Sequence, residues 1–106
     1  MSDRDEVIAD FEELVNLTRK ELIEWLQTDE SKRAGEGSGE SKGHRSGRRI
    51  VDLLAKSKSD YTDGDIDHMR RVRGYIKRHS AQRPQGDIAH ATWRHSLMNW
   101  AHDPLR

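Results

Sequence analysis

Two clusters in this 106-residue sequence have residue types and spacings that could do chemistry. The denser one is Arg70, Arg71, Arg73, Lys77, Arg78 and His79. On a helix, at 100° per residue, Arg70, Arg71, Lys77 and Arg78 fall within about 120° of one another, around Gly74. Four cations on one face suit phosphate groups, and would hold a nucleic-acid backbone without reading its bases. Gly74 asks for a reason, because glycine inside a helix costs about 1 kcal/mol relative to alanine. Close approach of a phosphate backbone, or of another helix, is such a reason. The opposing reading is a solvated face paired with acidic side chains of the same chain, and both stay open.

The second cluster is "GHRSGRR", residues 43–49. A serine nucleophile needs a base within hydrogen-bond reach and a third group to orient that base. His44 and Ser46 have no such third group nearby, and the G-x-S-x-G elbow is absent. Ser46 reads better as the N-cap of a helix, with Gly47 beside it and Arg48 and Arg49 in the first turn. Free amides and the helix dipole favour an anion at such a place. Cations there are mildly destabilising unless an anion joins them. The expectation is a loop contact to an anion through His44, Ser46 and Gly47, with Arg48 and Arg49 extending the basic patch. A plain N-cap is the alternative. The G-x-x-x-x-G-K-[ST] loop of nucleotide hydrolases is missing.

His90, His95 and His102 lie near Asp103, but neither H-E-x-x-H nor a carboxylate–histidine pair at metal-ligand spacing appears. No metal or cofactor is expected. Trp93 and Trp100 follow the apolar stripe of their segment, so they read as core rather than as a stacking platform for bases.

The elements that must carry these residues are helical. Val7, Ile8, Phe11, Leu14 and Val15 make one stripe of an amphipathic helix. Thr18 and Glu21 form a capping box, and Leu17 and Leu22 a hydrophobic staple, so a second helix starts at Arg19. Residues 29–47 hold five glycines and four serines and no large apolar residue; they read as a flexible loop. A third helix follows with Ile50, Val51, Leu53 and Leu54. A fourth covers about 63–81, opened by Thr62 and Asp65 and lined by Ile66, Met69, Val72 and Ile76. A short fifth carries Trp93, Leu97 and Trp100. The expected fold is all-α, with about five short helices in a compact orthogonal bundle, as a single domain over 1–106.

Net charge is zero, but the charges are segregated. Residues 1–41 hold 5 Lys and Arg against 12 Asp and Glu, whereas residues 42–83 hold 12 against 5. Such a split makes either an electrostatic patch or mutual neutralisation. The absence of cysteine excludes disulfides, thiolate chemistry and cysteine-ligated zinc, and suits a cytoplasmic protein. The acidic N-terminus gives no sign of a signal peptide. No apolar run approaches the roughly 18 residues of a membrane span.

The blocks "FEELVNLTRKELIEWLQTDESK", "GESKGHRSGRRIVDLL", "DIDHMRRVRGYIKRHSAQRP" and "WRHSLMNWAHDP" together resemble the domain of unknown function 3140 family of small, mainly bacterial proteins. The resemblance runs from about Phe11 to Pro104. It implies no established activity and no catalytic residues, only a loose association with DNA binding. Where that family carries glycine after the second tryptophan of the last block, this chain has Ala101, which bears on any left-handed turn there. The reading that follows is a non-enzymatic nucleic-acid-binding protein, for DNA above all. The alternative is a protein-interaction module or homodimer that joins acidic and basic faces.

Overall fold

The structure is a computed structural model that describes residues 3–34 and 42–106. The described residues form six α-helices and no strand: α1 (Asp3–Leu14), α2 (Arg19–Leu26), α3 (Asp29–Arg33), α4 (Lys42–Leu54), α5 (Asp63–Ser80) and α6 (Thr92–Asn99), with a 3-10 turn at Lys58–Asp60 before α5.

Local chemistry sets the starts of two of these helices. The Thr18 hydroxyl accepts from the Glu21 amide, and the Glu21 carboxylate accepts from the Thr18 amide. Thr62 and Asp65 repeat the reciprocal arrangement at α5. Each satisfies two amides that a helix start otherwise leaves unpaired. Leu17 and Leu22 are both buried, as the staple requires.

α1 packs along α5, α2 against α4, and α6 touches α2, α3, α4 and α5. The apolar stripes converge on one core, which includes Phe11, Leu22, Ile50, Met69, Val72 and Leu97.

The expected loop over 29–47 is corrected at both ends. Thr28 caps α3 by accepting from the Ser31 amide. Asp29 and Glu30 in the first turn and Lys32 and Arg33 in the last suit the dipole. Small polar residues here are packing residues. Ser31 is fully buried, and its hydroxyl donates to Asn99 Oδ1 at 2.5 Å. Asn99 Nδ2 donates to the Ser31 carbonyl at 3.0 Å, and Trp25 Nε1 donates to Asn99 Oδ1 at 2.8 Å. One buried amide therefore joins α2, α3 and α6. At the other end α4 begins at Lys42, so residues 42–47 are helical. The remainder of the expected loop, residues 35–41, lies outside the described residues.

The chain closes on itself through residues 101–103. Ala101 is buried at φ 65°, and its carbonyl accepts from the amides of Asn16 and Leu17 at 3.0 and 3.2 Å. Asn16 and Asp103 exchange two further bonds, Nδ2 to O at 3.0 Å and N to Oδ1 at 2.7 Å. Arg94 holds the Asp103 carboxylate at 3.0 and 2.9 Å. The left-handed turn is thus present with alanine in it.

Candidate functional site

α5 brings its cations to the surface as its spacing predicts, and α1 covers one flank of them. Arg70 bonds Asp3 and, at 2.9 Å, Asp67; Asp3 beside the guanidinium holds its pKa above the ordinary arginine value. Arg73 bonds Asp10 at 3.1 Å. Arg71, Lys77 and Arg78 are exposed and make no ion pair among the described residues.

Beside the pair of Arg70 and Asp3, with Arg70 at its border, lies a cleft of about 890 Å3. Lys42, Arg70, Arg71 and Arg78 stand around it, Tyr75 and Trp100 form part of its wall, and no carboxylate lines it among the described residues. The cations come from two helices, α4 and α5. Gly74 also lines the cleft, and its role is local. A Cβ there would stand 2.9 Å from Nη1 and 3.7 Å from Cζ of Arg78, so the missing side chain lets that guanidinium lie back against the helix. Lys77 is exposed but does not line the cleft.

Tyr75 and Trp100 belong to a ladder of rings. Trp93 stacks on His79 at 6.3 Å, His79 on Tyr75 at 5.0 Å, Tyr75 on Trp100 at 4.3 Å and Trp100 on His68 at 6.3 Å, with planes within 22° throughout. Arg83 sits 5.9 Å over the Trp93 ring. Stacking within the ladder occupies faces of Tyr75 and Trp100 and leaves their edges, the positive part of the aromatic quadrupole, for other contacts. The Trp100 indole N–H finds no acceptor among the described residues; its nitrogen lies 3.2 Å from where a Cβ on Gly43 would be. Burial depresses the pKa of both His79 and His68, the latter further lowered by Arg49 and Arg71, so the rings favour their neutral, stacking form.

The expected loop placement of His44, Ser46 and Gly47, the residues read as an anion contact, is corrected. All three lie inside α4, not in a loop before it, and Ser46 is not its N-cap. His44 Nε2 lies 2.8 Å from the Leu26 carbonyl and donates to that otherwise unpaired end of α2. Ser46 is 4% exposed and its hydroxyl bonds His68 Nε2 at 3.0 Å. This pair has the outline of a nucleophile and its base, but the serine is buried and, among the described residues, no carboxylate bonds the imidazole. Gly47 is packing: a Cβ would stand 2.6 Å from the Asn99 carbonyl oxygen and 2.7 Å from Leu26 Cδ2. Gly43 and Gly47, one turn apart, form the strip on which the end of α6 rests.

Arg48 and Arg49 are not gathered into the same cleft. They line a second one with Arg45, Lys56, Asp52 and Asp65. Arg49 and Lys56 bond the Asp65 carboxylate at 3.3 and 2.7 Å. Of the histidines near the C-terminus, His102 Nδ1 donates to the Leu14 carbonyl at 2.6 Å. Among the described residues no cluster of three His, Cys, Asp or Glu could hold a metal, and no helix is long and apolar enough to cross a membrane.

Sequence reasoning missed Lys42, Tyr75 and Trp100 as cleft residues. The available signal was Tyr75 next to Gly74, one residue off the buried stripe, on the side where the free cations lie.

The family model described as "Protein of unknown function (DUF3140)" matches residues 10–98. No curated protein and no solved structure matches the chain.

Proposed function

The chain belongs to the DUF3140 family, and we propose that it is a small, non-enzymatic nucleic-acid-binding protein that holds phosphates in its basic cleft, with DNA as the first candidate. The observation that carries this reading is the charge of the cleft. Among the described residues, Lys42, Arg70, Arg71 and Arg78 surround it without a carboxylate in its lining, and two of the α5 cations there, Arg71 and Arg78, make no ion pair. Exposed cations converging on a concavity favour a polyanion, and release of its counterions drives binding. Lys77, just outside the cleft, extends the track. The cysteine-free sequence supports a cytoplasmic setting.

The experiment is a salt titration of the protein against labelled DNA, both single- and double-stranded. Contacts from Lys42, Arg71, Lys77 and Arg78 predict a log–log salt slope of about −3 to −4. Binding should vanish when Arg71→Glu and Arg78→Glu are combined. No retention of any DNA at about 50 mM salt would overturn the reading.

A second reading has its own observation. Glu6 and Glu13 of α1 are exposed and match the basic cleft in sign. A second copy could set its α1 in that cleft and form a charge-paired dimer. Sedimentation at low and high salt separates this from the first reading, since it predicts a salt-sensitive dimer without nucleic acid.

A further inference from the structure

Resting on the nucleic-acid reading above, we infer that the cleft between α4, α5 and α6 is built for an unpaired nucleotide, so that the protein prefers single-stranded nucleic acid to duplex. A duplex presents phosphates on a convex surface and keeps its bases stacked inside. It would meet the cations but leave the cleft's interior unfilled. That interior is not a phosphate surface. Tyr75, Trp100, Gly43 and Ala34 supply apolar or small lining between the charges. Its size, about 890 Å3, lies within the roughly 300–1,000 Å3 of sites for small ligands.

An unpaired base supplies what this lining lacks. Its flat face can lie across the edges of Tyr75 and Trp100 in the edge-to-face arrangement aromatic pairs favour. The Arg78 guanidinium offers a second plane, since Gly74 lets it lie along the cleft wall and no carboxylate holds it among the described residues. Guanidinium planes stack on splayed bases in single-strand recognition. The unpaired Trp100 N–H can donate to a base carbonyl, while Lys42 and Arg71 take the flanking phosphates. Gly74 is the test of this geometry. It is not required by its backbone conformation, and a methyl group there displaces the guanidinium rather than the helix.

The experiment measures anisotropy of a labelled DNA oligonucleotide, an RNA of the same sequence, and the DNA duplex, while following tryptophan emission. The unpaired strands should bind at least about fivefold more tightly than the duplex, the lower end for one stacked base, and should quench emission. Trp100→Phe should remove most of that quenching. Gly74→Ala should melt no lower than the parent protein, yet lose most of the single-strand preference. Tighter binding of DNA or of RNA supports the inference in either case and identifies the strand. Duplex bound as tightly as single strand overturns the inference and leaves the nucleic-acid reading standing. An unchanged preference in Gly74→Ala also overturns it. Binding of neither strand nor duplex, with quenching by an acidic peptide instead, overturns both.

Discussion

Gly47 of α4 and Asn99 of α6 meet so closely that a Cβ on the glycine would stand 2.6 Å from the asparagine's carbonyl oxygen. That oxygen belongs to the backbone and cannot swing aside. Asn99 is itself pinned from the other direction by Ser31 and Trp25. Gly47→Ala should therefore destabilise the fold by about 1–3 kcal/mol, the range for overpacking, despite alanine's better helix propensity. Urea unfolding followed by circular dichroism measures it. A variant as stable as the parent would show that the α4–α6 contact can open at no cost.

Ala101 predicts the opposite sign. Its φ of 65° costs a side-chain-bearing residue roughly 1–2 kcal/mol. Its methyl group is buried, worth about 0.8 kcal/mol. Ala101→Gly should gain the first and lose the second, for a net stabilisation of up to about 1 kcal/mol. The bonds from the Ala101 carbonyl to Asn16 and Leu17 are backbone bonds and survive the change. Thermal melting checks it, and a lower midpoint would mean that the methyl contact outweighs the strain.

Acid should act through Asp65. The ammonium of Lys56, then the Thr62 amide, lower its carboxyl pKa to about 2. A depressed carboxylate gives its full stabilisation above the unfolded value near 4 and loses it as pH falls through the folded value. Stability should drop between about pH 4 and pH 2, and Asp65→Asn should flatten part of that drop. Glu21, also held at about 2 by Arg106, accounts for a share of the remainder. His68 adds a window at higher pH. Burial and then Arg49 lower its pKa, so its contribution is complete above about 6.5 and declines as pH falls below that. His68→Gln should reduce the loss of stability on going from neutral to mildly acidic pH. If both variants track the parent across the whole range, these two groups do not couple folding to protons.

The helices with strong apolar periodicity and a capping box were legible in the sequence. α2 starts at Arg19, and α5 spans Asp63–Ser80, within a residue of its expected end. The segment around α3 and the start of α4 was not legible. Its core residues are Ser31, Ser46 and Gly47, all buried, and a hydrophobic pattern cannot register residues that pack by being small. The same blindness turned Gly43 and Gly47 into a supposed loop. Arg71, Gly74 and Arg78 could be grouped from helical spacing alone because they share one element. Lys42 and Trp100 join them only through the packing of α4 and α6 on α5, and no local pattern carries that. That Arg49 lies apart from this cleft was equally hidden, because its partner, Asp65, sits in the next helix.

The ring ladder from Trp93 to His68 gives the protein an optical signature. Tyr75 and Trp100, with ring centres 4.3 Å apart and planes 12° from parallel, are two chromophores in fixed register, and transitions held that way couple. The near-ultraviolet circular dichroism of this chain should be intense for so small an aromatic content. Because loosened side-chain packing erases that band while helical content persists, the spectrum reports the order of the cleft wall itself, separately from whether the helices have formed.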